Sequence, residues 1–146
     1  TLAETKDCPN FEAYISEQEQ VLEKRLQSKS RFSAVHVRHE IAKLLNDCLG
    51  ITRTEEKLLE GIKSVDYYIS VSEKLIYDID VSPYIGYSLK PMILLARAIL
   101  TSALSRKETR GSHIREDYPQ RSDEFALCSV CDYKNGEHHI SYIKED

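Results

Sequence analysis

Residues 33–50 read SAVHVRHEIAKLLNDCLG, and their apolar positions decide the fold. Ala34, Val37, Ile41, Leu44 and Cys48 step by three and four, the spacing of one helix face packed into a bundle. Ser33 stands where an N-cap belongs, and Gly50 is placed to end the helix as a C′ residue.

The same spacing continues on both sides. Downstream, Thr54 reads as an N-cap followed by Glu55 and Glu56 in the first turn. Leu58, Ile62, Val65, Ile69 and Ile76 then mark a third helix ending near Asp78. A fourth is expected from Ser82 to Arg106, with Ser82 as cap and Pro83 in the first helical position. Pro91 inside it removes a hydrogen bond and is expected to kink or split it. Met92 to Leu104 is apolar almost all round, which predicts the central, most buried helix. Arg97 interrupts that run and is expected to pair with a neighbouring carboxylate or to reach the surface along its stem. The run is also shorter than the roughly 20 residues a bilayer needs. Upstream, Asn10 to Ser28 reads as a first helix presenting Phe11, Ile15, Leu22 and Leu26.

After Arg106 the chain changes character. Residues 106–123 are dense in charge, with Gly111 and Pro119 as breakers. Asn135-Gly136 then sits between two strand-like runs, a strong signal for a two-residue hairpin turn. That turn pairs Lys134 with Glu137, Tyr133 with His138 and Cys131 with Ile140. Leu127, Cys131, Tyr133, Ile140 and Tyr142 then share one face. The expected fold is mainly α, a three- to four-helix up-down bundle (spectrin-repeat-like) followed by a charged loop and a C-terminal β-hairpin. All of it forms one domain: residues 1–32 a helical extension, 33–106 the bundle core, and 107–146 the charged loop and hairpin.

Composition excludes several functions. The formal charge of −4 gives no basic footprint, so no nucleic acid is expected as a partner. Hydrophobic residues at 41% and charged residues at 30% are a globular balance. The polar start, Thr1 to Asn10, reads as no signal peptide, and with Thr at position 1 the chain reads as a piece of something longer. The five glycines lie far apart, so no dinucleotide fingerprint or phosphate loop can be assembled. No cofactor-binding or catalytic residue is expected in this chain.

A metal site is not expected either. Cys128 and Cys131 are three apart on a strand and point to opposite faces; His138 and His139 also diverge. His36 and His39 share a helix face without a third ligand, and Cys8 and Cys48 are distant. Reduced, partly buried thiols are the reading that remains.

The segment Arg106-Lys107-Glu108-Thr109-Arg110-Gly111-Ser112-His113-Ile114-Arg115-Glu116-Asp117-Tyr118-Pro119 stands apart. Its acids nearly cancel its bases. This suits an ordered network of Arg–carboxylate pairs better than an anion sink. Gly111 is placed to turn the chain off the helix, with φ > 0. Arg106, Glu108, Arg110, Gly111, His113, Arg115 and Asp117 form the candidate site, read as an interdomain docking motif rather than a chemical one.

This segment resembles the R-K-E-S-R-G-A-H-x-R-x-D-x-P stretch of the C-terminal domain of the succinate dehydrogenase/fumarate reductase flavoprotein subunit family, with its L-aspartate oxidase and adenylylsulfate reductase relatives. Arg106, Lys107, Glu108, Arg110, Gly111, His113, Arg115, Asp117 and Pro119 match, and Thr109 and Ser112 depart. Gly50 to Glu56 resembles that family's G-I-x-R-T stretch, and Ala96 to Leu104 its apolar helix. The resemblance runs from about His36 to Tyr142. It implies a helical bundle appended to an FAD-binding domain and a capping domain, which would be the partners, with an iron–sulfur subunit as a further one. FAD would belong to the parent protein, not to this chain. The resemblance also implies a cytoplasmic location, or membrane association through partner subunits without direct insertion. The competing reading is a free-standing helical interaction module with no redox role.

Overall fold

Ser33 Oγ accepts the N–H of His36 at 3.2 Å and opens a helix, as its position predicts. The computed structural model describes residues 11–27, 33–72 and 83–144. It has four α-helices, α1 (Phe11–Leu26), α2 (Ala34–Leu49), α3 (Glu55–Val71) and α4 (Pro83–Ser105). A 3-10 turn (Asp123–Phe125) and a hairpin of β1 (Cys128–Lys134) and β2 (Glu137–Ile143) follow. Thr54 Oγ1 caps α3 by accepting the N–H of Lys57 at 3.3 Å. The expected Ser82 cap, and the stretch of the third helix around Ile76, lie outside the described residues.

The core joins the predicted faces. Ala34, Val37, Ile41 and Cys48 of α2 are buried with Leu58 and Val65 of α3 and Leu89, Ile93, Ala96 and Leu100 of α4. Leu44, Ile62 and Ile69, also predicted, are half-buried against them. Each fully buried Leu, Ile or Val contributes about 1.5–3 kcal/mol of apolar burial. Gly61 is where α2, α3 and α4 come closest. A Cβ there would lie 2.9 Å from Cys48 Sγ and 3.3 Å from the Leu100 methyls.

Four expectations need correction. Gly50 ends α2 with φ −44°, not left-handed; what excludes a Cβ is the Asn46 carbonyl oxygen, 3.2 Å away. Pro91 does not split α4, which runs through it. Nor is α4 buried all round: Tyr84, Tyr87, Leu95 and Ile99 line an exposed stripe, with Leu95 60% exposed. From Tyr84 to Ser105 it is long and apolar enough to cross a membrane, with mean hydropathy 1.2 over its best window. The sequence reading began at Met92 and missed the turns before it. Finally, α1 turns little of its apolar face inward. Leu22 packs on the core, while Phe11 and Ile15 stand exposed.

The hairpin has the predicted register, Lys134 opposite Glu137, Tyr133 opposite His138 and Cys131 opposite Ile140. Asn135 and Gly136 both have positive φ, 55° and 86°, as a type I′ turn requires. Cys131, Ile140 and Tyr142 are half-buried, whereas Tyr133 is exposed. His138 is half-buried on the same face and lies against α4.

Candidate functional site

The charged segment is a knot built where α4 ends and α3 begins. Arg115 is fully buried, and its guanidinium grips Asp117 with two bonds, Nε to Oδ1 and Nη2 to Oδ2, each 2.7 Å. Its Nη1 faces the carbonyls of Ala103, Leu104 and Arg106 at 3.0, 3.2 and 3.3 Å. These are the unpaired C-terminal carbonyls of α4, where a cation also meets the negative end of the helix dipole. Asp117 Oδ2 in turn accepts the Glu55 N–H at 2.8 Å, capping the first turn of α3. One ion pair thus ties the C-terminus of α4 to the N-terminus of α3, so the two helices run antiparallel.

A second centre is Glu108, with no exposed surface. Its Oε1 accepts from Arg106 Nη1 at 2.7 Å and Arg110 Nε at 2.8 Å, and its Oε2 from the Ser122 N–H at 3.0 Å. Arg106 continues outward to the carbonyls of Phe125 and Leu127, both 2.7 Å, and to Ser129 Oγ at 2.8 Å. It also lies 5.5 Å over the ring of Tyr142. Arg106 therefore fastens the base of the hairpin. Arg110 Nη2 donates to the Ser122 carbonyl at 3.1 Å.

Electrostatics follow from these contacts. Hydrogen bonding from Arg110, with the Ser122 amide and Arg106, holds the Glu108 carboxyl well below its ordinary value, at about 2, despite its burial. The Arg115 fork and the Glu55 amide do the same for Asp117, also to about 2. Burial pushes His113 down, and the surrounding Arg53, Arg115 and Arg106 add to it. The ring donates Nε2–H to the Arg106 carbonyl at 3.2 Å, the only direction a carbonyl permits.

Gly111 has φ +58° and no atom within 4 Å of an added Cβ, so backbone conformation alone calls for glycine there. It shapes the turn in which Arg110 and His113 exchange backbone bonds of 2.8 and 3.0 Å. The two departures from the family pattern keep its chemistry. Thr109 Oγ1 accepts the Arg115 N–H at 2.9 Å and donates to the Tyr118 carbonyl at 3.0 Å, work a serine hydroxyl also does. Ser112 offers its carbonyl to Arg53 Nη1 at 2.9 Å, which any residue supplies.

All seven candidate residues thus gather in one place. The sequence reading missed Arg53 as their partner. Its N–H donates to the Ile114 carbonyl at 2.9 Å and its carbonyl accepts from Glu116 N–H at 3.0 Å. The signal was there: a second arginine just before the Thr54 cap. The carboxylate expected for Arg97 is found on α3, and a bond to the hairpin that was not expected joins it. Arg97 Nε pairs with Asp66 Oδ1 of α3 at 2.6 Å, and its Nη1 donates to His138 Nδ1 of β2 at 3.1 Å.

The α3 N-terminus, where a pyrophosphate would bind, is filled by Asp117 and fronted by Glu55 and Glu56. Among the described residues, no three His, Cys, Asp or Glu side chains converge as metal ligands. Cys48 is buried, and Cys128 and Cys131 are half-buried on the hairpin.

The family model for the fumarate reductase flavoprotein C-terminus matches residues 38–145, taking in the whole knot. The chain belongs to that family. The fumarate reductase flavoprotein subunit of Helicobacter pylori J99 is 31% identical over 121 residues, covering 77% of this chain and 16% of that protein. An L-aspartate oxidase of Pyrococcus furiosus is 31% identical over 96 residues, covering 66% of this chain and 17% of that protein. Among solved structures, the adenylylsulfate reductase of Archaeoglobus fulgidus superposes with a TM-score of 0.74 at 20% identity, over 92% of this chain and 25% of that one. That match concerns the fold. The chain spans about a sixth of the length of the curated relatives it matches.

Proposed function

We propose that this chain is the C-terminal helical domain of an FAD-dependent oxidoreductase of the succinate dehydrogenase/fumarate reductase type, serving by docking and holding no catalytic centre of its own. The observation that carries this is the knot. The guanidinium groups of Arg106 and Arg115 are consumed by carboxylates and carbonyls of the same chain, which leaves them no free edge for a substrate. A family pattern so fully spent on architecture supports a domain that presents a rigid surface. The reacting groups and the flavin are then supplied by an FAD-binding domain and a capping domain. An iron–sulfur subunit is the proposed further partner, with the assembly cytoplasmic or held at a membrane by such subunits. Helix α4 packs on α2, α3 and the hairpin and carries the Arg97–Asp66 pair, which supports a core helix rather than a membrane span.

The test is chemical. The chain equilibrated with FAD and desalted is expected to keep no yellow flavin and to turn over no succinate with an artificial acceptor. Removing residues 33–144 from the parent reading frame is expected to lower the yield of flavin-loaded protein. Stoichiometric flavin on the chain alone contradicts the proposal.

A further inference from the structure

The 3-10 turn and the start of β1 border an open depression of about 240 Å³, lined by Arg110, Phe125, Ala126, Leu127 and Cys128. Arg110 is its one charged wall. Unlike Arg106 and Arg115, it is only part used. Nε and Nη2 are bonded to Glu108 and the Ser122 carbonyl, and the side chain keeps 36% exposure. Among the described residues, its Nη1 has no hydrogen-bond partner. Two guanidinium groups, those of Arg106 and Arg110, converge on the single carboxylate of Glu108. Within this bonded group two cations therefore share one anion, and the exposed Asp123 offsets the excess only from a distance. Asp123 is felt at Arg110 electrostatically, yet no ion pair joins them among the described residues, and water screens an exposed pair. The two bonds to Glu108 and Ser122 hold the fork in one orientation, so a ligand meets it at little entropic cost.

We infer that this depression receives an acidic side chain of the surface onto which the domain docks, carried beside an apolar residue. The inference rests on the docking reading and names the residue chemistry that reading leaves open. A carboxylate matches the free guanidinium edge, and charge-assisted bonds of this kind are about twice as strong as neutral ones. Phe125, Ala126 and Leu127 supply apolar wall for the neighbouring residue. The outward face of the hairpin continues that wall, since Cys128 pairs with Ile143, which is exposed.

The experiment titrates the isotope-labelled chain with N-acetyl-Leu-Glu-amide and, as the uncharged control, N-acetyl-Leu-Gln-amide, reading backbone amide and Arg110 Nε shifts. The expected result is saturable, millimolar binding of the Glu peptide, with shifts confined to residues 108–110, 122 and 125–128. The Gln peptide should bind at least about tenfold more weakly. Arg110→Ala should abolish the response. Should that variant unfold, Ala126→Trp fills the depression without touching the network and should abolish it equally. Equal shifts from both peptides, shifts elsewhere, no shifts, or a response surviving in Ala126→Trp overturn the inference. The docking reading is judged separately, by binding to the flavin-loaded remainder of the parent. If that binding occurs and Arg110→Lys and Ala126→Trp leave it unchanged, the depression is not the contact and docking stands.

Discussion

Arg115 and Asp117 form one ion pair that caps two helices at once, the guanidinium closing the C-terminus of α4 and the carboxylate the N-terminus of α3. The pair works with both helix dipoles, a cation at a negative end and an anion at a positive one. Removing the fully buried Arg115 leaves both the Asp117 carboxylate and the last carbonyls of α4 without the cation that compensates them.

Arg115→Met is therefore expected to lower the stability of the chain by about 3–5 kcal/mol, and Glu108→Gln by a similar amount. Lys134→Ala, which removes an exposed pair with Asp132, should cost about 0–1 kcal/mol. Urea denaturation followed by circular dichroism measures all three. Similar midpoints for Arg115→Met and Lys134→Ala would show that the knot does not hold the bundle.

Acid should unfold the chain in two stages. His113 and His138 have lowered values in the fold, the latter through burial and the nearby Arg97. The unfolded chain binds their protons more readily, so stability is full above about 6.5 and declines as the pH falls below it. Glu108 and Asp117 have the same sign at lower pH. Their contribution is complete above their ordinary values of 4.5 and 3.8 and is lost as the pH falls towards about 2. Thermal midpoints from pH 8 to pH 2 check this, and a midpoint that rises on acidification would contradict it.

Gly111 and Gly61 should resist substitution for different reasons. Gly111→Ala meets no atom, so its cost is that of the left-handed backbone, about 1–2 kcal/mol. Gly61→Ala drives a methyl against Cys48 Sγ at 2.9 Å, with overpacking worth about 1–3 kcal/mol. Adding Cys48→Ala should relieve Gly61→Ala and leave Gly111→Ala untouched. Double-mutant cycles by urea denaturation separate the two.

Among the described residues, Thr101 Oγ1 is buried without a hydrogen-bond partner. Arg97 and Ser105, one turn to either side on α4, face His138 and Tyr142, the latter through a 2.8 Å bond between hydroxyls. Thr101→Val removes the orphaned hydroxyl at constant shape and is expected to stabilise the chain by about 1 kcal/mol. A loss of stability in a thermal melt would show that the hydroxyl is satisfied by a bound water.

The bundle was legible because α2 and α3 carry uninterrupted three-four spacing with Ser33 and Thr54 at their caps, and the hairpin because Asn135-Gly136 admits few other conformations. The exposed stripe of α4 was not legible: Leu95 and Ile99 are as apolar as the buried Ile93 and Leu100, so residue type alone does not separate the two faces. Gly50 misled because glycine serves steric as well as conformational needs. At the site, the charge balance of residues 106–119 pointed to a network of Arg–carboxylate pairs, and the glycine at 111 to a positive φ. It did not foretell which carboxylate each arginine takes. Arg53 and Ser122 reach the knot only through the fold, and spacing along one segment carries no trace of them.

A knot that makes a rigid docking domain without chemistry of its own should let the chain bind the rest of its parent. The most direct measurement is isothermal titration of the chain into the flavin-loaded remainder of its parent flavoprotein. The account predicts saturable binding at one chain per flavin, accompanied by a change in the flavin spectrum of the remainder and none in the chain alone. No heat of binding, or a chain that arrives already carrying flavin, would contradict it.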